Sequence, residues 1–273
     1  MTEPIVHYSA DSKVGIITMN RPDKLNALSM ELRAGLMQAF QQADEDSSTS
    51  AVILRAEGRS FCVGYDIDSK DPERDAWRYD ALRWHEYLRS SLDLEFAPWN
   101  MKKPVIAEVQ GHALGGGCEL AMMCDLTIAS EDALFGEPEV RFSNVGPAMV
   151  MPWFIGMKKA RELLYLGDMI DAATALQLGM INRVVPNQEL RTATLKFAKR
   201  LALISPEALK VAKLSINRGA EAAGFRNAID VGLDVVAPLY AAKTEAGGKF
   251  KQISEKEGLR AALKWRGDQF KEV

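Results

Sequence analysis

Residues 104–130 read PVIAEVQGHALGGGCELAMMCDLTIAS, and this stretch decides the fold. The apolar, β-branched run at 104–109 predicts a strand. The glycines at 115–117 interrupt both helix and strand, and the apolar residues after them predict a short helix over about 118–124. A further strand is predicted at 125–129. Two strands joined through a helix are typical of a parallel α/β architecture.

The same alternation continues on both sides of this stretch. Strands are predicted at 14–19, 51–55 and 181–185, and Ser29 is the expected N-cap of an amphipathic helix. Residues 73–95 are predicted to form one long helix that carries an aromatic stripe. The chain is therefore assigned to the α/β class.

No further strand is predicted beyond about residue 187. Ser205-Pro206-Glu207 has the order of an N-cap, a first-turn proline and an acidic first turn, and Ser254–Glu257 resembles a capping box. We therefore expect two regions, an α/β core at 1–200 and a helical region at 201–273.

The composition argues against several classes of protein. The 273 residues carry a net charge of −3, whereas nucleic-acid-binding domains are usually strongly basic, so no nucleic-acid partner is expected. The three cysteines and three histidines lack the spacing of a disulfide framework or a zinc site, so no metal is expected and a reducing compartment fits best. No apolar run is long enough to span a bilayer and the N-terminus does not resemble a signal peptide, so we expect a cytoplasmic protein without a membrane partner.

Three uses of the glycines at 115–117 can be considered: a plain turn, a phosphate loop, or backbone N–H groups that face a ligand. Their spacing matches neither the P-loop pattern nor the dinucleotide fingerprint. The free N–H groups of a helix start can instead stabilise a developing oxyanion. Glu119 lies in the first turn of this helix, and the spacing leaves open whether it is a general base or only caps the helix.

Two other segments share these features. Residues 58–68, GRSFCVGYDID, place a glycine just before Tyr65, which makes either an ordinary turn or a second N–H that faces a ligand. Residues 135–139, FGEPE, place Glu139 20 residues after Glu119 with one strand between them, so the two carboxylates can return to one pocket. Paired carboxylates in different environments can divide the base and acid roles.

In order and spacing, these segments resemble the crotonase, or enoyl-CoA hydratase/isomerase, superfamily. The similar motifs run along nearly the whole chain: NRPDKLNAL, FCVGYDI, PVIAEVQGHALGGGCELAMMCDLTIAS, FGEPE, ARELLYLGDMIDAATALQLGMINRVV and SPEALKVAK. The resemblance implies a crotonase-like spiral of ββα turns that binds an acyl-CoA, with a helical C-terminal trimerisation region. The assembly implied is a homotrimer or a homohexamer.

The resemblance also implies the activity of an enoyl-CoA hydratase, the syn hydration of a 2-enoyl-CoA thioester, or the reverse dehydration of a 3-hydroxyacyl-CoA. The backbone N–H groups of Tyr65 and Gly116 match the family's oxyanion hole, and Glu119 and Glu139 match its two catalytic carboxylates. No cofactor is expected to be bound permanently, because coenzyme A is part of the substrate. The expected coenzyme A contacts are Lys24, Leu25, Val63, Tyr65, Asp66 and Ile67.

Departures from the family pattern keep other functions open. RFSNVGPAMVMP (141–152) replaces a glycine-rich turn, so Glu139 is a candidate for displacement, and the phenol of Tyr65 is a candidate for chemistry. The stripe Trp77–Trp84–Leu88 is either the buried face of a helix or a wall of the acyl pocket. Enoyl-CoA isomerase, acyl-CoA hydrolase and C–C lyase chemistry therefore stay open, as does a non-catalytic acyl-CoA-binding oligomer.

Overall fold

The computed structural model describes residues 4–67 and 72–271. The predicted segments 58–68 and 201–273 therefore each end in residues that lie outside this part of the chain. Within it there are nine strands: β1 (Val6–Asp11), β2 (Val14–Met19), β3 (Ala51–Ala56), β4 (Val105–Val109), β5 (His112–Leu114), β6 (Leu126–Ser130), β7 (Leu134–Gly136), β8 (Met169–Asp171) and β9 (Arg183–Val185).

The same described ranges contain thirteen α-helices: α1 (Met30–Glu45), α2 (Pro72–Trp77), α3 (Ala81–Glu95), α4 (Ala97–Asn100), α5 (Gly116–Met123), α6 (Met151–Ile155), α7 (Met157–Leu166), α8 (Ala172–Gln177), α9 (Leu190–Leu201), α10 (Pro206–Ala222), α11 (Phe225–Ala241), α12 (Glu245–Glu257) and α13 (Leu259–Asp268). Short 3-10 helical turns occur at Pro22–Lys24, Pro138–Phe142 and Asn187–Glu189.

Six strands form the main sheet, in the order β1-β2-β3-β4-β6-β9. β1 is antiparallel to β2, and every other neighbouring pair is parallel. The register aligns Ile53 with Ile16 on one side and Ile106 on the other. These side chains are buried against Leu190 and Ala198 of α9. β-Branched residues buried in this way are expected in parallel strands that are covered on both faces.

Three strands form a second, smaller sheet in the order β5-β7-β8. β4 leads through a short turn into β5 and then α5, and β6 leads into β7, so successive strands of the main sheet feed the small one. Gly111 makes the first of these turns with φ +55, and a Cβ atom there would overlap the carbonyl oxygen of Arg59. The repeated strand pair followed by a helix confirms the predicted α/β fold.

The local helix signals are partly confirmed. The side chain of Ser29 accepts a hydrogen bond from the Leu32 N–H, and that of Ser205 accepts one from the Ala208 N–H. Both serines are therefore the N-caps that the sequence predicts. No strand follows Val185 within the described residues, which agrees with the predicted helical region, whereas the boundary at residue 200 stays a prediction.

Two helix predictions are wrong. The predicted helix at 73–95 is broken, because the side chain of Asp80 accepts hydrogen bonds from the Leu82 and Arg83 N–H groups and starts α3 as a new helix. The predicted capping box at Ser254–Glu257 lies inside α12, which begins after Thr244 and ends at Gly258. The residues upstream of Ser254 continue the helix, so its side chain has no free first turn to cap.

The C-terminal helices are fastened to the α/β core. Lys213 of α10 is buried, and its Nζ donates to the carbonyl oxygens of Pro98 and Lys103 and to Oδ2 of Asp125 at 2.6, 3.0 and 2.7 Å. α11 packs on α3, where Trp84 and Tyr240 have ring centroids 5.0 Å apart. None of the helices in the described ranges is long and apolar enough to cross a membrane.

Candidate active site

Two loops that are distant in sequence run side by side at the start of α5. The Cys62 N–H donates to the His112 carbonyl and the Leu114 N–H donates to the Cys62 carbonyl, both at 2.9 Å. A Cβ atom on Gly117 would overlap the Cys62 carbonyl oxygen, so the close approach requires glycine. The predicted loops around Tyr65 and the glycine triplet are thereby brought together.

The backbone N–H groups of Tyr65 and Gly116 are free to bind a ligand. The Leu28 N–H donates to the Gly64 carbonyl, and the Asp66 N–H donates to the Leu28 carbonyl. Because Tyr65 lies between these two residues in an extended segment, its N–H points away from Leu28. Gly116 is the first residue of α5, and its N–H has no acceptor within the helix. Among the described residues neither N–H donates a hydrogen bond. A Cβ atom on Gly64 would lie 3.4 Å from Gly116 N, which shows how closely the two segments approach.

Glu119 is fully buried, and its side chain turns away from the first turn of its own helix. Its Oε1 accepts a hydrogen bond of 3.0 Å from the Ala148 N–H, and no side-chain cap is made at the start of α5. A Cβ atom on Gly146 would overlap the same oxygen. The interpretation of Glu119 as a helix cap is therefore wrong, and the unusual segment 141–152 holds this carboxyl in place.

Glu139 lies against the glycine triplet at the start of α5. It belongs to the 3-10 turn Pro138–Phe142, and its carboxyl sits directly over the Cα atom of Gly115. Burial is the main cause that raises the pKa of Glu119, and the charge of Glu139 adds to it. The structure thus brings both glutamates to the start of α5, beside the glycine triplet, and their catalytic roles stay a prediction.

Two further glutamates, which sequence reasoning missed, complete the cluster. Glu95 ends α3 and accepts a hydrogen bond from the Tyr65 hydroxyl, while Glu137 precedes Pro138 and approaches Gly146. Both are buried, and neither oxygen of Glu137 has a hydrogen-bond donor among the described residues. Glu95 continues the spacing of Trp84, Leu88 and Leu92 on the buried face of α3, so an acidic residue on an apolar stripe was its signal. Glu137 had no comparable signal.

Burial makes all four carboxyl groups weak acids. It raises the pKa of Glu139 and of Glu95 to about 7, although for Glu95 hydrogen bonds from Glu119 and Tyr65 act in the opposite direction. Burial and the neighbouring negative charges raise the pKa of Glu119 and Glu137 well above the usual range. Because like charges this close cannot all ionise, the cluster holds protons at neutral pH.

Aromatic side chains border the carboxyl cluster. Trp84 contacts Trp77 edge-to-face at 5.1 Å, and the Tyr240 hydroxyl donates to the Val145 carbonyl at 2.9 Å. Burial, and then the charge of Glu139, raise the pKa of Tyr240, which places its phenol near that carboxyl. Trp84 and Leu88 of the predicted stripe therefore belong to the buried face of α3, whereas Trp77 packs on Trp84 from the end of α2, and Trp84 meets the site through Tyr240.

The residues expected to contact coenzyme A lie on two adjoining loops. The Val63 N–H donates to the Leu25 carbonyl at 3.3 Å, and Leu25 has a left-handed conformation with φ +51. The carboxylate of Asp66 is bound to Arg21 at 2.7 Å, so its side chain supports the loop. Lys24 and Ile67 are exposed at the ends of the two loops, with 55 % of Ile67 accessible.

Within residues 4–67 and 72–271, no group of three or more histidine, cysteine, aspartate or glutamate side chains is placed to hold a metal ion. The three cysteines are buried and free, and burial raises the pKa of the Cys62 thiol to about 12. The cluster is thus a set of protonatable carboxyls beside two free N–H groups, an arrangement suited to proton transfer at a carbon next to a carbonyl.

The chain is similar to known proteins over most of its length. The family described as enoyl-CoA hydratase/isomerase matches residues 9–244. A probable enoyl-CoA hydratase of Mycobacterium tuberculosis is 33 % identical over 99 % of both chains. A short-chain-enoyl-CoA hydratase of Clostridium acetobutylicum is 36 % identical over 77 % of this chain and 79 % of its own length.

A solved structure has the same fold. The crystal structure of an enoyl-CoA hydratase/isomerase from Xanthobacter autotrophicus Py2 superposes with a TM-score of 0.92 at 35 % identity and covers 98 % of this chain and 99 % of its own. The helical C-terminal region is included in that match. The chain belongs to the enoyl-CoA hydratase/isomerase family, the crotonase superfamily that its motifs resemble.

Proposed function

We propose that this protein is an enoyl-CoA hydratase that adds water to a 2-enoyl-CoA thioester, or removes it from a 3-hydroxyacyl-CoA, through an oxyanion hole and two glutamates. One observation carries the assignment of roles: two free N–H groups, of Tyr65 and Gly116, lie near the buried carboxyl of Glu119 and the carboxyl of half-buried Glu139, whose Oε2 is shielded from solvent. A thioester oxygen held by the two N–H groups would place the adjacent carbons at the carboxyls.

The oxyanion hole supplies the electrostatic part of the mechanism. Hydrogen bonds from Tyr65 N–H and Gly116 N–H polarise the thioester carbonyl and stabilise the enolate that forms when water attacks C3. Each donor of this kind contributes roughly 3 kcal/mol to stabilisation of the transition state. The dipole of α5 adds positive potential at Gly116.

The two glutamates move the protons. Glu119 accepts a proton from the attacking water as the water oxygen bonds to C3, and the electron pair of the double bond passes to the enolate. Glu139 then delivers a proton to C2, which restores the thioester carbonyl. Its pKa of about 7 means that a substantial fraction is protonated near neutral pH, as a general acid requires. The net change is the addition of one water molecule.

Coenzyme A binding is assigned to the two adjoining loops. Lys24 is exposed where a phosphate could reach it, and the backbone at Leu25, Val63, Asp66 and Ile67 forms the neighbouring surface. The hydrogen bond between Val63 and Leu25 supports this assignment, because it joins the two loops next to Tyr65.

The protein is proposed to act in the cytoplasm as a homotrimer or homohexamer. Exposed apolar side chains on α10 support association, because large apolar groups on a helix surface mark interfaces: Val211, Leu214 and Ile216. Three buried, free cysteines are in keeping with a reducing compartment. Light scattering of the purified protein measures the oligomeric state.

The activity is tested with a series of 2-enoyl-CoA substrates of different acyl groups, followed by the loss of enoyl-thioester ultraviolet absorbance. We expect turnover, and a loss of about 10²-fold or more in kcat for Glu119→Gln with coenzyme A ester binding retained. Binding of coenzyme A esters without hydration of any of them would refute the proposal. Release of free thiol would then identify a hydrolase, and movement of the double bond an isomerase.

A further inference from the structure

Glu95 is a buried carboxyl group with no role in the mechanism described so far. It lies at the end of α3 and is inaccessible to solvent. Burying a carboxyl group is costly unless hydrogen bonds or charges compensate. The groups that contact Glu95 offset the cost of burying its carboxyl.

Glu95 contacts two groups that the mechanism uses. The Tyr65 hydroxyl donates to its Oε1, and the backbone N–H of the same tyrosine belongs to the oxyanion hole. The carboxyl of Glu119 lies within hydrogen-bonding reach of Glu95, and the Oε2 atom of each is buried with no other partner among the described residues. If both were ionised, the Oε2 atoms of Glu95 and Glu119 would have no donor. One proton held between the two carboxyls supplies the missing donor, so the pair shares a single negative charge.

The surroundings decide which carboxyl carries the charge. Glu95 receives the Tyr65 hydroxyl and faces the guanidinium of Arg33, which lies over the Tyr65 ring at 5.5 Å. Among the residues that the structure describes, Glu119 receives one hydrogen bond, from the Ala148 N–H to its Oε1, and it faces other acidic groups. A cation and a hydroxyl donor stabilise a carboxylate more than one amide does, so the charge resides on Glu95 and the proton on Glu119.

The other groups that interact with Glu95 do not reverse this order. They come from the loop at 62–65, the turn at 137–139 and α11, and apart from Tyr65 and Arg33 they are neutral or acidic: Cys62, Glu137, Glu139 and Tyr240. The acidic members repel charge on Glu119 as well as on Glu95. Burial keeps the Tyr240 phenol and the Cys62 thiol protonated.

We propose that Glu95 is the terminal proton acceptor of the site and acts through Glu119, which passes its own proton to Glu95 as it takes one from the attacking water. The inference rests on the proposed hydration and gives Glu95 a positioning role, because it contacts Glu119 and not the substrate. The protons balance: the pair gains the one that water loses, and Glu139 loses the one delivered to C2. Return of one proton from the pair to Glu139 resets the site.

The first test is the substitution Glu95→Gln, which keeps the shape of the side chain and removes its ability to accept a proton. We expect kcat to fall about 10²-fold with little change in KM, since substrate contacts are unaltered. Glu108→Gln is the matched control, because Glu108 is also buried but lies on β4 against Thr194, outside the site. A variant Glu95→Gln with kcat within a few-fold of the wild type would overturn the inference.

The second test uses Tyr65→Phe, which keeps the backbone N–H and removes the donor to Glu95. Losing that donor disfavours the charged form, so the acid-side limb of the kcat/KM profile should move to higher pH by about one unit. In the Glu95→Gln background the same change should produce no shift. An equal shift in both backgrounds would show that Tyr65 acts on another group and would contradict the relay.

A readout independent of turnover separates this inference from the proposed function. Infrared difference spectra of the protonated carboxyl groups, taken between about pH 5 and about pH 9, follow ionisation of the pair directly. A titrating carboxyl that Glu95→Gln removes and Tyr65→Phe moves upward supports the shared proton even if no 2-enoyl-CoA is hydrated. Hydration together with an infrared titration unchanged by Glu95→Gln leaves the function standing and refutes the relay.

Discussion

The carboxyl group of Glu139 occupies the space directly over the Cα atom of Gly115, where any other residue would place its Cβ atom. Gly115 also has φ +52, a left-handed conformation that L side chains rarely adopt. The first glycine of the triplet therefore has a use of its own, besides the free N–H that Gly116 supplies. It makes room for Glu139, the acid of the proposed mechanism.

Gly115→Ala should therefore displace Glu139 and strain the backbone. We expect a loss of hydration activity of about 10²-fold or more and a loss in unfolding free energy of roughly 1–2 kcal/mol. Enzyme assays and urea unfolding measure the two effects. Gly248→Ala on α12 is the control, because a Cβ atom there meets nothing and the free energy of unfolding should rise slightly. Full activity of Gly115→Ala would refute the placement of Glu139.

The pH dependence of hydration should fall on the alkaline side through about pH 7. Burial raises the pKa of Glu139 to about 7, and the protonated form is the one that delivers a proton to C2. Glu139→Gln should therefore lower kcat/KM and remove this alkaline limb. The measurement is kcat/KM across the pH range for wild type and variant. An alkaline limb that persists in Glu139→Gln would assign it to another group.

Glu137 should make the protein less stable as the pH rises. Burial, followed by the charges of Glu139 and Glu95, raises its folded-state pKa well above the unfolded value. Below the unfolded-state pKa, the carboxyl is protonated in both states and the stability is fully present. As pH rises from the unfolded-state pKa toward the folded-state pKa, the unfolded chain loses the proton while the folded protein keeps it, so stability is lost. Glu137→Gln should therefore unfold at nearly the wild-type temperature at about pH 5 and at a higher temperature at about pH 8.

The gain in free energy from Glu137→Gln should grow by at most about 1.4 kcal/mol per pH unit in that window. Glu131→Gln serves as the control, since Glu131 is an exposed glutamate in the turn after β6. Thermal unfolding at several pH values provides the measurement. A gain for Glu137→Gln that does not depend on pH would contradict burial of an ionisable group at this position.

Lys213 should be essential for fastening α10 to the core. Its side chain is 5 % exposed and bonds Asp125 at 2.7 Å, so Lys213→Met leaves a largely buried carboxylate without its cation. We expect a loss of about 3 kcal/mol in unfolding free energy, measured by urea denaturation. Adding Asp125→Asn should recover part of the loss. If the double variant is no more stable than Lys213→Met, the pair does not account for the effect.

Much of the site could be predicted because its signals are local. The strand, glycine and helix order at 104–124 follows from residue types within one or two turns of chain, and so do the caps at Ser29 and Ser205. Glu119 and Glu139 were found because each belongs to a short motif. Helix boundaries at Asp80 and Thr244 were missed, since a single side chain bonding to nearby N–H groups decided them.

The sequence by itself determined the α/β order, the family resemblance and the two motif glutamates, because periodicity, glycine positions and motif spacing are properties of neighbouring residues. Only the tertiary structure decided that Glu95 bonds Tyr65 and that Ala148 holds Glu119. It also decided that burial raises the pKa values of four carboxyls. A sequence pattern shows which face of a helix or strand is buried. The groups that pack against that face come from distant parts of the chain, and the burial and charge that they impose set the pKa of a carboxyl on it.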